Sequence, residues 1–184
     1  PWIKIKQLNK DVSKPNLEIW SIAQISKIMG LHRTADKYGA IPYFNVGNGS
    51  FTVAYDSQEE VYKSFFKELE EAVDHLYKYS QATPIVAKAS DVVYDGNALR
   101  WAKLGNSLML RLAMRVRYVA PELSKMWAEK AMSHAAGLIE SVDDAAYISD
   151  KAGFRTRNAI FTIKGSYNDT RMGATIQSYL KGYN

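Results

Sequence analysis

The 184-residue sequence contains no cysteine, so it has no disulfide framework, no thiol nucleophile and no thiolate metal site. It also lacks any apolar run approaching the roughly 20 residues that a membrane-spanning helix needs. The formal charge of +5 is not gathered into a basic stripe, and we therefore expect no nucleic-acid partner. With 47% hydrophobic residues, the chain can bury one sizeable core, and a single domain over residues 1–184 is the expectation.

Motifs of the common enzyme classes are also missing. No nucleophile elbow, P-loop or dinucleotide-binding glycine motif occurs, and His32, His75 and His134 are far apart and outside any zinc-binding spacing. We interpret the histidines as surface or helix-packing residues. The sequence therefore predicts no catalytic residue, no cofactor and no enzyme.

Two groups of carboxylates leave alternatives open. The acidic residues between Glu59 and Asp74 could include the acid and base of a glycosidase, but helical spacing favours a solvated helix face. Asp143, Asp144 and Asp150 could bind calcium, although the EF-hand spacing is absent, and no metal site is predicted.

Apolar residues at helical spacing predict an all-α fold with irregular loops. A first long helix is expected from about Pro15 to Tyr38, followed by a loop over residues 39–55. Asp56 or Ser57 can cap the next helix, with Glu59 or Glu60 reaching back. Two adjacent apolar stripes on that helix indicate packing on two sides.

A helical hairpin is predicted at about residues 97–139. Its first helix is expected to run to about Val119, and the second from Pro121 to just beyond Gly137. Trp101, Leu104 and Gly105 reproduce the W-x-x-L-G opening of a tetratricopeptide repeat, and Gly105 would let a neighbouring helix approach closely. Trp20, Trp101 and Trp127 are expected in the core.

The C-terminal part is less regular. A short strand is possible at Ala159 to Lys164, and Asn168 or Asp169 could cap a last helix that Gly182 ends.

Four segments, in order, resemble the SusD/RagB family of surface glycan-binding lipoproteins of Gram-negative bacteria. They are HRTADKYGAIPYF (32–44), YDSQEEVYKSFFKELEEAVDHL (55–76), VYDGNALRWAK with GNSLMLRLAMRV (93–116), and MGATIQSYLKGYN (172–184). One departure is Ala40, where the family often has an acidic residue after the glycine.

The resemblance implies a fold of tetratricopeptide-like helical hairpins and an outer-membrane location. It also implies an oligosaccharide or polysaccharide ligand and a SusC-like TonB-dependent transporter as partner. Family members are much longer, so we expect this chain to be an internal fragment, with membrane attachment only through a lipid anchor that it lacks. A helical-repeat scaffold that binds a protein or peptide, without a sugar site, is the alternative.

The loop between the first two long helices is the candidate glycan-binding site. Aromatic rings stack on the apolar face of a sugar, and amide groups bind its hydroxyls. This loop supplies both types of side chain, although its aromatic residues could instead hold the loop against the helices. The candidate residues are Tyr43, Phe44, Asn45, Asn48, Phe51 and Tyr55.

Overall fold

The computed structural model describes residues 2–13, 15–148, 159–168 and 173–183, which divide into two units at residues 1–147 and 148–184. Helices dominate both units. No strand occurs among the described residues, where isolated antiparallel bridges join Ile41 to Asp56 and Ile85 to Asn97. The predicted all-α fold class is confirmed.

Among its described residues, the first unit has five α-helices in chain order. They are α1 (Trp2–Asn9), α2 (Leu17–Tyr38), α3 (Gln58–Ala82), α4 (Ala98–Arg115) and α5 (Pro121–Ser133). Short 3₁₀ turns lie at Lys88–Ser90 and Val142–Asp144.

The starts of α2, α3 and α4 follow side chains that satisfy the first backbone N–H groups. The predicted capping box of α3 is confirmed, because Ser57 Oγ accepts from the Glu60 N–H at 3.2 Å and the Glu60 carboxylate accepts from the Ser57 N–H at 3.4 Å. Asn97 caps α4 in the predicted place. Helix α2 begins slightly later than predicted, since Asn16 Oδ1 accepts from the Ile19 N–H at 3.3 Å and Pro15 stays outside the helix.

The core lies around α3, which packs against α2 on one side and α4 on the other, while α4 also packs against α5. Both predicted stripes of α3 contribute buried side chains, among them Phe65 and Phe66. The ring of Phe66 stacks on Trp127 of α5 with 5.1 Å between centroids. Trp20, Trp101 and Trp127 are all buried, as predicted.

At Gly105, side chains of α2 and α3 both approach the backbone of α4 closely. A Cβ atom there would lie 2.8 Å from Ile25 Cδ1 of α2 and 2.8 Å from Val73 Cγ2 of α3. The predicted close approach at this glycine is confirmed.

The helices of the hairpin end earlier than predicted. Helix α4 stops at Arg115 rather than near Val119, because Val116 and Val119 are β-branched and Pro121 disfavours a helical Ala120. Helix α5 stops at Ser133, before Gly137, where φ is 73°. Buried Asn106 of α4 then donates to the carbonyls of Ala131 and Gly137, each at 2.8 Å.

The second unit is helical where it is described. It contains α6 (Ala159–Thr162), a π-helical turn (Ile163–Tyr167) and α7 (Ala174–Gly182). The predicted strand at 159–164 is wrong, because a strand without a neighbour leaves its backbone groups unpaired and a helix pairs them internally. Gly173, not Asn168, precedes α7, and Asp169 lies outside the described residues.

Candidate functional site

The candidate loop connects α2 to α3, and Asp56 fixes both of its ends. Ile41 and Asp56 exchange backbone hydrogen bonds, with N–O distances of 3.2 and 3.0 Å. Asp56 Oδ2 also accepts from the backbone N–H groups of Tyr43 and Phe44, at 2.7 and 2.9 Å. The backbone and the side chain of Asp56, at the end of the loop, thus hold the residues at its start.

Tyr43 anchors the loop to the two long helices. Its hydroxyl accepts from Lys27 Nζ of α2 at 2.6 Å and donates to Glu68 Oε2 of α3 at 2.8 Å, and Lys27 forms an ion pair with Glu68. The Tyr43 ring packs edge-on against Phe65, with centroids 5.4 Å apart. This tyrosine belongs to the support of the loop and not to its outer surface.

Lys27 is held where little water reaches it, since its side chain is 8% exposed. Its ammonium lies over the rings of Trp2 and Tyr43, at 4.2 and 4.6 Å from their centroids. Burial lowers the pKa of Lys27, against the opposing effect of the Glu68 charge. Burial also raises the pKa of Tyr43 above its ordinary range, and the charge on Glu68 adds to this.

Helix α1 supports the loop from the other side. Gly47 has φ of 87°, and a Cβ atom on it would overlap Ile3 Cδ1 at 1.9 Å. Trp2 donates from its indole N–H to Gln24 Oε1 at 2.8 Å and lies 5.0 Å from Trp20 between centroids. Contacts from α1, α2 and α3 thus hold one loop.

The other five candidate residues face solvent. Phe51 is fully exposed, Tyr55 is 71% exposed and Phe44 is 52% exposed. Asn45 and Asn48 are also exposed, and Asn48 Oδ1 accepts from the Ser50 N–H at 2.9 Å. A rigidly anchored loop that presents aromatic rings and amides can stack on a sugar and bind its hydroxyls.

Several carboxylates elsewhere have structural partners. The interpretation of the α3 acids as a solvated face is wrong for Glu68, which is ion-paired and only 20% exposed, whereas Glu59 does lie at the surface and pairs with Lys63. Asp144 pairs with Lys103 at 3.2 Å, and Asp150 lies outside the described residues. Among the described residues, no three His, Asp or Glu side chains converge as a metal site.

Sequence reasoning missed Lys27 and Glu68 as members of the site. They are separated by 41 residues from each other and by 16 and 25 residues from Tyr43, and no local pattern joins them. Asp56 was recognisable only as a possible helix cap. Its position between the loop and the capping residue Ser57 was the one sequence feature that could have indicated a role in holding the loop.

A model of the SusD-like family, described as Susd and RagB outer membrane lipoprotein, matches residues 1–184. The chain belongs to the SusD-like family. The family description confirms the predicted outer-membrane lipoprotein location. In the described residues, no helix is both long and apolar enough to span a bilayer.

Solved structures of SusD homologues resemble the chain closely. A chitin-binding SusD homologue from Flavobacterium johnsoniae is 36% identical with a TM-score of 0.88, over 99% of this chain and 37% of that one. A SusD homologue from Bacteroides vulgatus is 35% identical with a TM-score of 0.82, over 99% of this chain and 36% of that one. One from Bacteroides uniformis is 37% identical with a TM-score of 0.77, over 91% of this chain and 33% of that one.

This chain thus spans 33–37% of the length of these SusD homologues. Among curated proteins, none matches it.

Proposed function

We propose that the protein binds an oligosaccharide or polysaccharide noncovalently at the cell surface and delivers it to a SusC-like TonB-dependent transporter. Binding uses Phe44, Phe51 and Tyr55 as stacking surfaces, and Asn45 and Asn48 as hydrogen-bonding groups. Tyr43 positions the loop from beneath. No bond is broken, and the protein is not an enzyme.

The observation that supports this proposal best is the exposure of Phe51 and Tyr55 on an anchored loop. Leaving large aromatic side chains in water is unfavourable, and a loop held at both ends can present them with little loss of entropy on binding. Membership of the SusD-like family supports a glycan as the ligand, and one similar structure is a chitin-binding homologue. Delivery to a transporter rests on the family resemblance.

The test is retention of the protein by immobilised polysaccharides, with chitin among them. Phe51→Ala and Tyr55→Ala should each weaken retention up to about tenfold, because one aromatic contact contributes about 0.5–1.5 kcal/mol beyond its area. Tyr118→Ala is the matched control, since Tyr118 is 81% exposed on the turn between α4 and α5. Equal retention of all three variants would contradict the proposal.

A protein-binding scaffold without a sugar site is the second candidate. The turn between α4 and α5 favours it, because Tyr118 and Val119 are both highly exposed there. On this alternative, Tyr118→Ala abolishes capture of a peptide or protein partner, and no polysaccharide retains the protein.

A further inference from the structure

A cavity of about 240 Å³ lies between α2, α3 and the segment that follows α1, apart from the solvent-facing residues of the candidate loop. Trp20, Leu17 and Ala72 form its apolar wall. Ser21, Gln24, Glu71 and His75 are among its polar lining residues, and Glu71 is exposed, so the cavity opens to solvent beside it.

Two of the polar lining residues are almost completely buried without full hydrogen bonding. Ser21 is 3% exposed, and its hydroxyl has no hydrogen-bond partner among the described residues. Gln24 is 4% exposed, and its carbonyl accepts from Trp2 while its amide NH₂ has no such partner. Because neither group has a partner within the protein, both are available to hydrogen-bond to a molecule that enters the cavity.

Two further groups in the cavity are also incompletely paired. Buried His75 Nε2 has no hydrogen-bond partner, and the nearest carboxylate oxygen, on Glu18, is 3.7 Å away. The carboxylate of Glu71 forms no hydrogen bond or ion pair within the part of the chain that the structure describes. The cavity therefore offers N–H and O–H donors, a carboxylate acceptor and an indole wall together.

The size of the cavity limits what can occupy it. An apolar cavity of about 150 Å³ takes up benzene, whereas sites for drug-sized ligands start at about 300 Å³. A volume of about 240 Å³ therefore suits one six-membered ring with polar substituents. A pyranose has this size, and its hydroxyls both donate and accept hydrogen bonds.

We propose that this cavity is a second ligand site, which binds a single pyranose ring through Ser21, Gln24 and Glu71. It is distinct from the exposed aromatic surface of the loop. Glu68 lines the cavity and also anchors Tyr43, so substitutions of Glu68 would disturb both sites and are unsuitable as tests.

The experiment is an amide NMR titration with methyl β-glucopyranoside and with N-acetylglucosamine, up to about 50 mM because few contacts give millimolar affinity. We expect saturable shifts at Ser21, Gln24 and His75. Ser21→Ala and Glu71→Ala should each weaken binding about fivefold. Ser21→Ala should not lower the urea midpoint, because it removes a hydroxyl that has no partner within the protein.

Ser26→Ala is the matched control on the same helix, since the Ser26 hydroxyl already donates to the Ile22 carbonyl at 2.9 Å. It should leave binding unchanged. Absence of saturable shifts with both sugars means that the cavity holds only water and overturns the proposal. The proposal is also overturned if Ser21→Ala and Glu71→Ala leave the affinity for both sugars unchanged.

Phe51→Ala separates this proposal from the function of the loop. It should retain the binding of the single sugars while it weakens retention by polysaccharides. Shifts confined to the loop residues would overturn the cavity site and leave the loop proposal intact.

Discussion

At the scale of single residues, Lys27 is central to the contacts that support the candidate site. Its ammonium is almost removed from water, yet it contacts two aromatic rings, one carboxylate and one phenol. A buried cation is tolerated only when it is paired, and Glu68 provides the pairing charge. The lysine thereby joins α1, the loop and α3.

Lys27→Met tests this role of the lysine. We expect the free energy of unfolding to fall by about 2–3 kcal/mol. Breaking a fully buried ion pair costs about 3–5 kcal/mol, and the loss here should be smaller because Glu68 keeps a hydrogen bond from Ser64. Urea unfolding at neutral pH measures the change. Lys63→Met is the control, since its pair with Glu59 is exposed and contributes less than about 1 kcal/mol. Equal losses in the two variants would contradict the account.

At the scale of secondary-structure elements, the fold depends on the contact of α4 with α2 and α3 at Gly105. The two side chains that a Cβ would meet, Ile25 and Val73, are completely buried and have little room to move.

Gly105→Ala should therefore destabilise the protein by about 1–2 kcal/mol, because overpacking outweighs the gain in helix propensity. Gly30→Ala is the matched control within α2, where no atom lies within 4 Å of the added Cβ. It should stabilise the protein by up to about 1 kcal/mol. Thermal unfolding of both variants measures the contrast, and a shift in the same direction for both would count against the close packing.

The sequence predicted what depends on local patterns. The starts of α3 and α4 follow from cap residues, and the two-sided packing of α3 follows from apolar spacing. The early end of α5 was missed because Asn106, 25 residues before Ala131, donates to the carbonyl of Ala131 in the last turn and to that of Gly137 beyond the helix. The loop was recognised by its aromatic residues, whereas its division into a half-buried Tyr43 and an exposed Phe51 depends on distant contacts.

At the scale of the whole molecule, stability should depend on pH in the alkaline range. Burial, helped by hydrogen bonding to Asp36, raises the pKa of Tyr62 to about 12, and burial with the charge on Asp144 raises the pKa of Tyr94 to about 12. Unfolded tyrosine has a pKa of about 10. A raised folded pKa stabilises the protein below the unfolded value, and this stabilisation is lost as the pH rises towards 12.

Folding lowers the pKa of Lys27, so this residue makes the stability rise with pH. That rise ends near pH 10.5, the pKa of the lysine in the unfolded chain. The urea midpoint should therefore fall between pH 10.5 and pH 12, and tyrosinate absorbance should rise with unfolding. Tyr62→Phe should make the fall less steep. A midpoint that stays constant up to pH 12 would contradict this prediction.

The central claim is that the exposed aromatic rings of the loop contact a glycan. The most direct measurement is an NMR titration of the ring signals with a soluble oligosaccharide of the polysaccharide that retains the protein best. We predict saturable shifts for the rings of Phe51 and Tyr55, while the rings of Tyr118 and Tyr147, exposed elsewhere, stay unchanged. Saturable binding that leaves the signals of Phe51 and Tyr55 in place would contradict the account.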